Sequence, residues 1–149
     1  HITQVGDSIF RINGKDLYTN SKVVDEINSK KRSDYIKRTG DVQGGRDLII
    51  PNLKKQHIYQ NNSEVELGYG TIDGTKVPAK FVKIYKFPFK NIKTIEFISD
   101  GYFSIPKEVS IEAYEKEYEK IEKEDPDKYL KYLSTKSRDD RTVMIVRFD

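Results

Sequence analysis

Asn13-Gly14 stands between two short runs that read as strands, and it narrows what this chain can become more than any other feature. Both residues tolerate positive φ, as a two-residue hairpin turn requires. Ile9 to Ile12 reads as one arm and Leu17-Tyr18 as the return. Ile2 to Val5 reads as a further strand, set off by a break at Gly6-Asp7-Ser8. A domain seldom opens on a strand at its first residue unless a pairing partner is supplied, so the beginning reads as a cut.

The stretch Ser21 to Thr39 is polar, with Val23, Val24, Ile27, Tyr35 and Ile36 as its apolar points, and reads as one or two short helices closed by Gly40. Gly44-Gly45 reads as a loop. Leu48 to Asn61 reads as a helix with Pro51 in its first turn and Ile50, Leu53, His57 and Ile58 as its buried stripe. Leu67 to Gly74 is glycine-rich and reads as a short strand and turn. Ala79 to Phe87 and Thr94 to Ser99 read as strands. Pro106 to Glu124 is the clearest helix, with Ile111, Tyr114, Tyr118 and Ile121 on one face. Asp127 to Leu133 reads as a short helix and Thr142 to Phe148 as a closing strand. This order of elements is an α+β pattern, not a repeated βαβ one.

Ten Tyr and seven Phe supply enough apolar area for a packed core despite 34% charged residues. The 27 basic and 24 acidic side chains mix along the chain and form no basic stripe, so nucleic acid is not an expected partner. No apolar run approaches the roughly 20 residues of a membrane span, and no membrane partner is expected. The absence of Cys excludes disulfides, thiolate ligands and a cysteine nucleophile, and fits a cytoplasmic setting.

Four aspartates stand at strand boundaries. Asp7 follows the strand from Ile2, Asp100 follows the strand ending at Ser99 and precedes Gly101, and Asp139-Asp140 precede the last strand. Carboxylates at strand ends can converge at one edge of a sheet, and hard divalent cations take such oxygen ligands. The competing reading is that these are unrelated turn residues, since Asp-Gly is a common turn.

"VGDS" at Val5–Ser8, "FISDGYF" at Phe97–Phe103 and "SRDDRTVMIVRF" at Ser137–Phe148 occur in this order, and together they resemble three motifs of type-2C, metal-dependent protein phosphatases. Between them, "KRSDYIKRTG", "GRDLIIPNLKKQHIYQNN" and "LGYGTIDG" resemble segments of a bacterial branch of that family, so the resemblance spans nearly the whole chain. It implies that residues 1–149 are the C-terminal portion of a single phosphatase-like domain, with a flap-like region at about 21–93. The implied fold is part of a four-layer α-β-β-α sandwich with antiparallel sheets. The implied activity is that of a serine/threonine phosphoprotein phosphatase, which hydrolyses phosphate monoesters by a metal-bound water on two Mn²⁺ or Mg²⁺ ions, with a third ion in many members.

On the same resemblance Asp100 and Asp139 would be metal ligands, and Asp7 with Asp100 would hold the further ion. Gly101 would keep the turn tight. Asp140 stands where the family has Asn, which leaves open which of Asp139 and Asp140 serves the metal. Arg138 and Arg46 are candidate phosphate contacts, Tyr69 and Tyr102 candidate substrate contacts, and His57 a candidate general acid. Ion pairing, core packing and a helix surface are the respective alternatives.

The family's Asp-Gly-His-Gly motif does not occur among these residues. The chain alone is therefore expected to have little or no activity, with the N-terminal half of the domain and a phosphorylated protein substrate as its partners. A catalytically inactive phosphatase-like binding or regulatory module, and an unrelated interaction domain, are the competing readings.

Overall fold

A computed structural model describes residues 1–149. The Asn13-Gly14 turn forms as its residues dictate, with φ of 53° and 66°. It joins β2 (Ile9–Ile12) to β3 (Asp16–Tyr18), setting Phe10 opposite Tyr18. The first strand, β1 (Ile2–Gln4), pairs instead with β4 (Lys83–Tyr85) in a two-stranded antiparallel sheet. β5 (Thr94–Ile98) and β6 (Val143–Arg147) complete a four-stranded antiparallel sheet in the order β3-β2-β5-β6. With the helices α1 (Val23–Thr39), α2 (Val42–Lys54) and α3 (Ile111–Glu124), the fold is α+β.

One face of the larger sheet packs on α3. Ser110 caps this helix by accepting from Ala113 N–H at 3.2 Å, so it starts later than the expected Pro106. Tyr114 and Ile121 are fully buried, and Tyr114 joins Ile98 and Tyr102 in the core, flanked by Val143 and Ile145. Ile111, expected on this stripe, is exposed. A charged pair lies within the same layer. Arg11 Nε donates to Glu96 Oε2 at 2.6 Å, and Tyr114 Oη donates to Glu96 Oε1 at 2.9 Å. Burial, followed by the bond to Glu96 and its charge, pushes the Tyr114 phenol far above its ordinary value. On the opposite face Phe10 and Tyr18 stack with centroids 4.5 Å apart. Tyr85 and Phe87 close against them edge-on, joining the two sheets.

Several helical expectations are corrected. Ser21 to Thr39 holds a single 17-residue helix, ended by Gly40 at φ 74°. Its buried side is Val24, Asn28, Ser29, Arg32, Ser33 and Ile36, while Val23 and Ile27 are exposed. Gly44-Gly45 is not a loop but the first turn of α2. Asp41 caps that helix by accepting from Gly44 N–H at 2.8 Å. A Cβ on Gly45 would stand 2.5 Å from Ile36 Cγ1, so the glycine is what lets α2 lie close on α1. Pro51 accordingly falls inside the helix, and Ile49 is the fully buried residue; His57 and Ile58 are exposed.

Leu67 to Gly74 contributes only an isolated bridge between Gln60 and Tyr69. Asp127 to Leu133 is a turn rather than a helix. The Asp125 carboxylate accepts from the N–H groups of Tyr129, Leu130, Lys131 and Tyr132 at 2.8–3.1 Å, which consumes the donors a helix would need. No helix is long and apolar enough to cross a membrane.

Candidate functional site

The register of the four-stranded sheet brings three of the aspartates to one end. Ile9 stands opposite Ile98, and Ile98 opposite Val143, forming one row across β2, β5 and β6. Asp7 lies just before Ile9, Asp100 just after Ile98 and Asp139 just before Val143, so the antiparallel order carries all three past the same edge. The start of α1 closes the space from the other side. The result is a cavity of about 330 Å³ lined by Asp7, Asp100 and Asp139, with Lys22, Asp25 and Glu26 from the helix end.

Each wall is built locally. Gly6 takes φ 77°, which turns the chain sharply after β1, and Asn20 Nδ2 holds that turn by donating to Gly6 O at 2.7 Å. Gly101 is buried against the segment that carries Asp139. A Cβ there would lie 2.1 Å from the Asp140 carbonyl oxygen, so only glycine lets the Asp100 turn press on that backbone. Asp139 lines the cavity, whereas Asp140 is exposed and lends the site its backbone alone. Arg32 fixes the far wall by donating through Nη1 to Asp127 O, Lys128 O and Ser134 O. Arg46 donates to Thr135 O at 2.6 Å.

The electrostatics are those of an acid cluster with one cation inside it. Desolvation, followed by the negative charges of Asp7 and Asp139, pushes the Asp100 carboxyl above its ordinary value, although its outer side remains exposed to solvent. Lys22 Nζ stands 2.7 Å from Asp7 Oδ2 and 3.7 Å from Asp25 Oδ2. Burial alone would lower this amine. The bond and charge of Asp7, then Asp25 and Asp100, outweigh burial and raise it. Asp139 has its own partner, Lys136, at 2.7 Å.

The donor chemistry suits a hard divalent cation, because every acidic lining group is a carboxylate. The arrangement is open, however: no group of three or more His, Cys, Asp or Glu side chains is close-set enough to hold a metal ion. Asp7, Asp100 and Asp139 face one space without closing around one point, and Lys22 sits among them.

The remaining candidates lie elsewhere. Arg138 is exposed and does not line the cavity. His57 is exposed, with Nδ1 3.0 Å from Lys54 O. Tyr102 belongs to the core, where its hydroxyl donates to Glu115 at 2.8 Å and its ring meets Tyr114 edge-on. Tyr69 is buried beneath the Lys22 ammonium, 5.3 Å from the ring centroid. Lys22 carries no sequence signal of a functional role: it stands in a polar stretch, and its partner Asp7 belongs to another element. Compared with protein-family models, curated proteins and solved structures, the chain matches none.

Proposed function

We propose that this chain carries part of the metal site of a serine/threonine phosphoprotein phosphatase acting on phosphate monoesters, with a type-2C-like arrangement. The observation that carries the reading is the convergence of Asp7, Asp100 and Asp139, from three separate segments, on one cavity at the end of the sheet. Asp100 and Asp139 would hold the catalytic Mn²⁺ or Mg²⁺, and Asp7 with Asp100 a further ion. Bound divalent ions lower the pKa of water and absorb charge on the transferred phosphoryl oxygens. The reading carries with it the four-layer sandwich, a cytoplasmic setting and a phosphorylated protein as substrate.

The chain's own residues prepare for that chemistry in two ways. Burial, followed by the negative charges of Asp7 and Asp139, raises Asp100, and a cation entering the cavity offsets that repulsion, so the site favours positive charge. Lys22 offers an ammonium to an anionic phosphoryl group once Asp7 has another counterion. No Asp-Gly-His sequence is present to add a bridging carboxylate. Hydrolysis of an aryl phosphate by this chain, with and without Mn²⁺ and beside Asp100→Asn, tests the reading. Little or no turnover is expected from the chain alone, and Mn²⁺-dependent turnover that survives Asp100→Asn contradicts the assignment.

A second reading, a phosphatase-like binding module without catalysis, is favoured by one observation: the Lys22 ammonium already neutralises Asp7 where a cation would sit. On this reading the cavity takes no Mn²⁺ until Lys22 is removed.

A further inference from the structure

The far wall of the cavity, where Ser29, Ser134 and Thr135 line it, is unlike the acidic one. Two arginines stand behind it, and neither lines the cavity. Arg32 donates to Asp127 O, Lys128 O and Ser134 O at 2.9–3.2 Å and to Ser137 Oγ at 3.0 Å, and Arg46 donates to Thr135 O at 2.6 Å. All of these acceptors are neutral. Arg32 is 1% exposed, so no group from outside can reach it, and its buried Nε makes no hydrogen bond within the chain. Burial lowers this guanidinium from its ordinary value; the charge of Asp127 opposes the shift and the charge of Arg46 adds to it. A buried cation bonded only to neutral groups is costly to keep, and negative charge nearby offsets that cost. The backbone shows where such charge fits. Across a trans peptide C=O and N–H point in opposite directions. With the carbonyls of Ser134 and Thr135 held on the arginine side, the N–H groups of Thr135 and Lys136 turn the other way. Ser134 Oγ accepts from Lys136 N–H at 3.3 Å, whereas Thr135 N–H makes no hydrogen bond within the chain.

We propose that, on the metal-site reading given above, this wall is the phosphoryl-binding side of the cavity: Thr135 N–H and the Lys22 ammonium take the oxygens of a phosphate monoester, and Arg32 and Arg46 are positioning residues that hold the Ser134–Thr135 backbone for it. A peptide N–H backed by guanidinium charge is a strong donor to an anion. The binding is ordered. Asp7, Asp25, Glu26, Asp100 and Asp139 share the cavity and repel a phosphate until a divalent cation has neutralised part of their charge. Cation and phosphate therefore strengthen each other's binding by the same factor.

Calorimetric titration of the chain with Mg²⁺, followed by titration of the Mg²⁺-loaded chain with inorganic phosphate read by ³¹P NMR, tests this. Phosphate should bind the loaded chain and not the metal-free one. Arg46→Met should weaken phosphate by about tenfold, the order expected for a charge-assisted bond, with Mg²⁺ affinity measured without phosphate changed by no more than about twofold. Arg46→Lys, which keeps the charge and a donor, should restore most of the loss. A merely structural role for Arg46 would loosen the segment that carries Asp139 and weaken Mg²⁺ as well. Thr135→Pro removes the N–H itself and should abolish phosphate binding, with circular dichroism confirming that the fold persists. Mg²⁺ binding without phosphate binding, or phosphate binding that neither Arg46→Met nor Thr135→Pro weakens, overturns the proposal and leaves the metal site standing. Phosphate that binds equally well without Mg²⁺ also overturns it and marks an adventitious ion only. Failure to bind Mg²⁺ at all overturns the metal-site reading and this proposal with it.

Discussion

The Lys22 ammonium lies 2.7 Å from Asp7 Oδ2, inside the cavity that Asp100 and Asp139 also line. A side-chain cation thus stands where the acids would otherwise recruit one from solution. Lys22→Ala removes it and leaves Asp7, Asp25 and Asp100 repelling one another. The substitution should tighten Mn²⁺ binding by about tenfold at low ionic strength, since a charge this close in a part-solvated site counts for on the order of 1 kcal/mol. Calorimetric titration of the two proteins with MnCl₂ checks it.

Gly101 is the contact between the Asp100 turn and the Asp139 segment, with the Asp140 carbonyl where a Cβ would go. Gly101→Ala should force those segments apart, costing about 2–4 kcal/mol of stability and separating two of the three acids. Urea unfolding measures the first effect. Loss of Mn²⁺ binding in the folded fraction measures the second.

The turn after α3 depends on Asp125. Burial would raise this carboxyl, but the backbone N–H groups of Tyr132, Lys131, Tyr129 and Leu130 outweigh burial and hold it below its ordinary value. The folded state therefore binds this proton more weakly than the unfolded chain. Its stabilisation is fully present above the unfolded pKa of about 4 and is lost as pH falls through the depressed folded value. Asp125→Ala should cost about 2–3 kcal/mol at pH 7 and flatten the acid side of the stability curve, as denaturant titrations between pH 2 and pH 7 would show.

Glu96 accepts from both Arg11 and Tyr114 while itself fully buried. Glu96→Ala leaves a buried guanidinium without its carboxylate, a loss of about 3–5 kcal/mol. Glu96→Ala with Arg11→Met should recover part of that, because the stranded charge is gone. Thermal unfolding of the single and double variants separates the two effects.

Much of the sheet was legible because its signals are local. Asn13-Gly14 dictates the hairpin, and the short apolar runs around Ile9, Ile95 and Ile145 are bounded by turn residues as short strands are. The aspartates were legible as strand-end residues, but their convergence needed the register that aligns Ile9, Ile98 and Val143. α1 is less legible because its buried side is largely polar. Asn28, Arg32 and Ser33 are buried, and the groups they bond to, Asn52, Ser134 and Tyr129, are remote in sequence. Gly44-Gly45 has the composition of a loop, but Gly45 serves close packing against Ile36, not a turn. The Asp127–Leu133 turn leaves no local signal, because one carboxylate, Asp125, redirects four N–H groups.

The central claim is that Asp7, Asp100 and Asp139 form a divalent-cation site, and Mn²⁺ titration of the chain beside Asp100→Asn, Asp139→Asn and Asp140→Asn tests it most directly. The account predicts saturable binding that Asp100→Asn and Asp139→Asn each weaken by at least about tenfold, the order expected for losing one charged ligand. Asp140→Asn, which changes an exposed side chain outside the cavity, should leave it nearly unchanged. Binding unaffected by Asp100→Asn, or no binding in either the parent chain or Lys22→Ala, would contradict it.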